Sequence, residues 1–97
     1  MQPQKTLTKD IVVQNRSGIH ARVSAVIVQT CKRFASEARL RTETAVADCR
    51  SIIDLLSLGA RCGITVTLEI TGEDAENLMN AITELFEARF NEDEESQ

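Results

Sequence analysis

Residues 63–72 read Gly63-Ile64-Thr65-Val66-Thr67-Leu68-Glu69-Ile70-Thr71-Gly72. In an extended chain, successive side chains point to opposite faces, so Ile64, Val66, Leu68 and Ile70 share one side and Thr65, Thr67, Glu69 and Thr71 the other. A strand with one apolar and one polar face belongs to a sheet that is covered on one side and open to water on the other. The remaining segments must supply that cover.

Working outward, Lys9–Asn15 (KDIVVQN) puts Ile11 and Val13 on one face of a first strand, and Asn15–Gly18 (NRSG) breaks it. From His20 to Phe34 the spacing becomes helical, with Ser24, Ile27, Val28, Cys31 and Phe34 or Ala35 on one side. Lys32 and Arg33 suit the negative end of that helix. Glu37–Thr42 alternates again, Ala38 and Leu40 inward and Glu37, Arg39 and Arg41 outward. A turn near Glu43-Thr44 leads to Ala45–Ala47, a hairpin without the usual Asn-Gly or Asp-Gly signal.

Asp48 or Ser51 caps a short helix over Ser51–Leu58, and Gly59 ends it in the left-handed region. A last helix spans Asp74 to Phe90, with Glu73, Asp74 and Glu76 loading its first turn and Leu78, Ala81, Ile82, Leu85 and Phe86 as its apolar stripe. The order β-α-β-β-α-β-α, with half-polar strands and amphipathic helices, predicts an α+β open-faced β-sandwich. Its four-stranded antiparallel sheet would carry all three helices on one face. Residues 1–90 are expected to form one domain, and residues 91–97 (NEDEESQ) an acidic, disordered tail.

The chain has 97 residues, of which 42% are hydrophobic, enough for one two-layer core and too few for two domains. A net charge of -4 argues against broad binding to nucleic acid or an anionic membrane, which need clustered Lys and Arg. No run approaches the length of a membrane span and the polar N-terminus is unlike a signal peptide, so a cytoplasmic location and no membrane insertion are expected. Cys31, Cys49 and Cys62 are widely spaced and one histidine alone could join them, so buried free thiols are expected rather than a metal site.

That histidine, His20, stands at the mouth of the first helix, where unpaired amide N–H groups and the helix dipole make an anion site. The same field favours the neutral ring, and an unprotonated ring nitrogen is what phosphoryl transfer to histidine requires. Gly18 permits a positive φ or leaves room for a large partner group, and Arg22 can grip phosphate oxygens in two-pronged fashion. These features converge on transient phosphorylation of His20.

A second constellation is Asp48–Gly59 (DCRSIIDLLSLG). Ile52, Ile53, Leu55, Leu56 and Leu58 cover more than one side of a helix only about two turns long. If Leu55 and Leu58 face the core, Ile52, Ile53 and Leu56 spill outward as an apolar patch suited to a partner; the alternative is a fully buried helix. Ser51 reads first as an N-cap. A helix start also stabilises phosphoserine, and Arg50 beside it could serve the same anion.

With Gly18–Arg22 (GIHAR), Arg50–Gly63 (RSIIDLLSLGARCG) and Ile70–Ile82 (ITGEDAENLMNAI) in this order, the chain resembles the HPr family, the histidine-containing phosphocarriers of the bacterial phosphoenolpyruvate-dependent phosphotransferase system. The resemblance runs from about Lys9 to Phe90. It implies that His20 accepts a phosphoryl group at Nδ1 from phospho-enzyme I and passes it to an enzyme IIA domain. Arg22 would hold the group, with the helix start at Gly18, Ala21 and Val23 stabilising it. Such a protein is a stoichiometric carrier rather than a turnover enzyme, needs no cofactor and is expected to be monomeric.

Ser51 would match the serine that a dedicated kinase phosphorylates in some bacterial lineages, beside a partner-binding patch of Arg50, Ile52, Ile53 and Leu56. The rival reading is a regulatory binding module of the same fold, controlled through Ser51 with little phosphoryl flow through His20. Two positions depart from the family pattern: Val23 replaces the usual proline, and Thr44 stands where many members have glycine. Val23 should loosen helix entry while offering one more N–H to an anion.

Overall fold

The strand at 65–71 is the centre of the sheet. The computed structural model describes residues 5–92, and in it β4 (Thr65–Thr71) pairs antiparallel with both β1 (Thr6–Val12) and β2 (Glu37–Arg41). β2 pairs in turn with β3 (Val46–Asp48), giving the order β1-β4-β2-β3. The helices are α1 (Ala21–Cys31), α2 (Ile52–Ser57) and α3 (Ala75–Glu87). The expected four-stranded antiparallel open sheet with three helices is therefore the observed architecture.

The alternation of β4 is realised as burial. Val66, Leu68 and Ile70 are fully buried, whereas Thr65 is exposed and Thr67, Glu69 and Thr71 are half-buried. They meet Ile11, Ala38, Leu40 and Ala47 of the other strands and the apolar stripes of the helices, Ile27 and Val28 of α1 and Leu78, Ile82 and Phe86 of α3 among them. Each buried Val, Leu, Ile or Phe among them contributes about 1.5–3 kcal/mol by leaving water.

Four details differ from the sequence reading. Ile64 is 37% exposed: it precedes the strand and lines a surface cleft with Leu58 and Gly59. The first helix stops at Cys31, because the Arg33 and Phe34 N–H groups donate to the carbonyls three residues back, Thr30 and Cys31, at 3.1 Å each. That tightening leaves Lys32 and Arg33 beyond the last turn. The third helix stops at Glu87, and Arg89, Phe90 and Asn91 follow with φ of 53°, 52° and 57°. Cys31 and Cys49 are buried free thiols, but Cys62 is exposed.

Polar groups fix the corners. The Asp74 carboxylate accepts hydrogen bonds from the Ala35 and Ser36 N–H groups at 2.9 Å and from Ser36 Oγ at 2.5 Å, rather than capping its own helix. A Cβ on Gly72 would lie 2.6 Å from Ser36 Cα, so only glycine allows the two corners to touch. Among the described residues no helix is long and apolar enough to cross a membrane.

Candidate functional site

Gly18 sets the site, by a route other than leaving room for a partner. Its φ is +70°, and a Cβ there would stand 2.6 Å from the Ala60 carbonyl oxygen and 2.9 Å from Arg61 Cα. The Ile19 N–H donates to that Ala60 carbonyl at 3.0 Å. The turn before α1 is thereby pressed against the chain that follows α2, and Ile19 is buried.

His20 comes next and is the N-cap of α1 (φ -111°, ψ -169°). Its carbonyl accepts from the Ser24 N–H at 2.8 Å, and its ring Nδ1 accepts from the Arg22 N–H at 3.2 Å. Imidazole thus does the work that Ser or Asp does at most helix starts. Val23 is fully buried, so its side chain ties the first turn to the core and offsets the loss of proline's preset φ.

The other ring nitrogen, Nε2, is hydrogen-bonded to Glu92 Oε2. Hydrogen positions follow from the partners. Nδ1 faces a donor and must accept; Nε2 faces a carboxylate and must donate. The ring is therefore the Nε2–H tautomer with its unprotonated nitrogen, Nδ1, at the positive end of α1.

Both carboxylate oxygens of Glu92 are engaged. Its Oε1 accepts from Asn15 Nδ2 at 2.9 Å and from the Ser17 N–H at 3.2 Å. Its side chain is 15% exposed. Desolvation acts to raise its pKa, but the hydrogen bonds from His20, Asn15 and Ser17 together outweigh it and hold the carboxyl down to about 2. Asn15 is buried and also donates to the Gly18 carbonyl at 2.7 Å, joining the turn to the carboxylate.

Arg22 donates from its guanidinium to the Phe90 carbonyl at 2.8 Å and stands 3.8 Å from Glu92 Oε2. Half its side chain is exposed. Beside it, Ala25, Val26, Gln29 and Thr30 line an open groove of about 460 Å³ whose rim carries Arg22, Lys32 and Arg33.

The second constellation divides. Ser51 is the N-cap of α2, its Oγ accepting from the Asp54 N–H at 3.1 Å. Leu55 and Leu58 are core, while Ile52, Ile53 and Leu56 are 40%, 74% and 44% exposed, an apolar patch on a six-residue helix. Arg50 is not turned to an anion at Ser51. Its guanidinium donates to the carbonyls of Phe34 (2.8 Å), Ser36 (3.2 Å) and Cys31 (3.4 Å), gathering the end of α1 and the start of β2.

The residues that sequence reading missed are Asn15, the Phe90 carbonyl and Glu92. The local pattern puts Asn15 in a strand break, Phe90 at a helix end and Glu92 in the acidic tail. Glu92 nevertheless lies against His20, so the edge placed at residue 90 falls two positions short of the site; residues 93–97 of the expected tail lie outside the described residues. No group of three or more His, Cys, Asp or Glu that could hold a metal occurs among the described residues.

Comparisons with known proteins place the chain among relatives of the same fold. The family model described as "PTS HPr component phosphorylation site" matches residues 7–88. A phosphocarrier protein HPr of Xylella fastidiosa is 40% identical over 87 residues, covering 90% of this chain and 98% of that protein. One from Treponema pallidum is 36% identical over 87 residues, covering 90% and 99%. The crystal structure of an HPr from Thermoanaerobacter tengcongensis superposes with a TM-score of 0.84 at 32% identity, covering 89% of this chain and 97% of that one. Fold, site and relatives together define a small α+β phosphocarrier. The chain belongs to the HPr family of the phosphotransferase system.

Proposed function

We propose that this protein accepts a phosphoryl group on His20 Nδ1 from phospho-enzyme I and delivers it to an enzyme IIA domain, acting as a monomeric cytoplasmic carrier. The observation that carries the reading is the ring's orientation: the Nδ1 lone pair sits at the mouth of α1. On attack, the Nδ1–P bond forms as the donor's bond to phosphorus breaks, and the phosphoryl oxygens take over the Arg22 N–H that Nδ1 now accepts from. Arg22, half exposed, is within a side-chain rotation of the same group. The helix start from Gly18 through Ala21 and Val23 provides the rest of the cradle. In the second direction the same bonds reverse, so the protein is consumed and regenerated rather than turning over substrate.

The basic-rimmed groove along α1 and the Ile52–Ile53–Leu56 patch flank His20's helix and supply the surface on which both larger proteins dock. Ser51 is a second phosphorylation position, open to an HPr serine kinase because it is half-buried rather than enclosed. A dianion there would sit at the start of α2 beside that patch, braking transfer by changing the docking surface. Retention of His20 together with Arg22 favours the carrier over a purely regulatory module.

Incubation with phosphoenolpyruvate and enzyme I should give an acid-labile, base-stable phosphate that His20→Ala abolishes. Wild-type protein that stays unlabelled with the enzyme I of its own organism would overturn the reading. With the serine kinase and ATP, labelling that survives Ser51→Ala would remove Ser51 from the account.

A further inference from the structure

We infer that Glu92 is a positioning residue for the phosphoryl acceptor: by binding Nε2–H it fixes the tautomer that leaves Nδ1 unprotonated, and it stabilises the cationic ring that forms on transfer. This rests on the reading of His20 as the acceptor, and deepens it. Glu92 lies beyond the span, residues 7–88, that the family model matches.

In a neutral imidazole only one nitrogen carries the proton, and the partner of one nitrogen decides the state of the other. Were Nδ1 protonated, its N–H would face the Arg22 N–H, and no lone pair would meet phosphorus. Glu92 prevents this. Its carboxylate is an acceptor only, so the proton must stay on Nε2. During transfer the Nδ1–P bond forms and the donor's bond to phosphorus breaks; the ring gains positive charge, the proton remains on Nε2, and Glu92 faces that charge. No proton enters or leaves. The logic is that of a triad's aspartate, which holds a tautomer without itself becoming protonated.

The chain is built to put this carboxylate there. After α3, three consecutive non-glycine residues, Arg89, Phe90 and Asn91, adopt left-handed φ, a conformation that costs about 1 kcal/mol or more each unless the surroundings enforce it. Phe90 is buried edge-on against Phe86, with ring centroids 5.0 Å apart at 76°. Arg22 grips the Phe90 carbonyl, and the Asn91 and Glu92 N–H groups donate to the carbonyls of Ala88 and Arg89 at 2.9 Å. Asn15 and the Ser17 N–H then fix Oε1 so that Oε2 meets the ring.

The test compares wild type with Glu92→Gln, which keeps the shape but presents an amide N–H₂ able to donate to Nε2 and so favour the opposite tautomer. Ring 15N spectra of His20, taken at a pH where the ring is neutral, report the tautomer directly. Wild type is expected to show a protonated Nε2 and an unprotonated Nδ1, and Glu92→Gln a marked shift toward Nδ1–H. Single-turnover phosphoryl transfer from phospho-enzyme I is expected to slow roughly tenfold in the variant. That is less than for a sealed triad, because water can reach a carboxylate that is 15% exposed.

A wild-type ring that is Nδ1–H, a variant with an unchanged ring spectrum, or a shifted spectrum with an unchanged transfer rate would each overturn the inference. A wild type that takes no phosphate on His20 would instead bring down the carrier reading, and the spectra would still decide whether Glu92 sets the tautomer.

Discussion

Gly18 and Glu92 act on His20 from opposite sides, one through the backbone and one through the ring. Replacing Gly18 by Ala puts a Cβ 2.6 Å from the Ala60 carbonyl oxygen at a φ of +70°. The change is expected to cost about 2 kcal/mol or more and to slow phosphoryl transfer by moving the mouth of α1; urea unfolding and single-turnover labelling measure the two effects. Glu92 also makes stability depend on pH. Its carboxyl has an ordinary value of 4.5 and is held down to about 2 in the folded protein, so its contribution is complete above about 4.5 and is lost as pH falls toward 2. Thermal unfolding followed from pH 5 to pH 2 should show wild type losing more stability than Glu92→Gln; parallel curves would mean that the carboxylate is not paired in solution.

At the scale of elements, α2 divides its side chains between core and surface, and substitution separates the two roles. Ile53→Glu or Leu56→Glu should weaken binding to enzyme I while leaving the melting temperature nearly unchanged, since both side chains are exposed. Leu55→Ala, by contrast, removes a fully buried side chain and should cost about 2–5 kcal/mol. A large stability loss from Ile53→Glu would show that the patch is structural.

What the sequence made legible follows the same line. Period-two alternation at 65–71 and helical spacing at 21–31 and 75–87 are local patterns imposed by one covered face, so the strands, helices and their inward sides could be read directly. The ends of α1 and α3 could not, because they are set by distant partners: Arg50 gathering carbonyls near 31–36, and Phe90 seating on Phe86. At the site, Gly18, His20 and Arg22 announce themselves by type and spacing. Asn15 and Glu92 do not, since a buried asparagine in a turn and one glutamate in an acidic run have no local signature. They are brought together across 77 positions by the fold alone.

For the whole molecule, the sheet's polar face is left to water, and the groove beside α1, the α2 patch and His20 are all carried by the helix layer. The chain's net charge is -4, yet the groove beside His20 is rimmed by Arg22, Lys32 and Arg33. Association with a phospho-donor should therefore slow as salt rises through the screening range, and stopped-flow binding at low and high ionic strength checks this. Corner contacts such as Asp74 with Ser36 and Ala35 hold the helix layer in register. The Ser36 hydroxyl above all, with the Ala35 N–H, keeps the Asp74 carboxyl below its usual range against an opposing desolvation. Its contribution is likewise present above the ordinary carboxylate pKa and is lost as the pH falls through the lowered value.

The central claim is that His20 Nδ1 carries the phosphoryl group. The direct measurement is NMR of the protein labelled with phosphoenolpyruvate and enzyme I, with 31P–15N coupling used to locate the bond. One phosphate on Nδ1 of His20, absent from His20→Ala, is the expected result. A phosphate on Nε2, on another residue, or none at all would contradict the account.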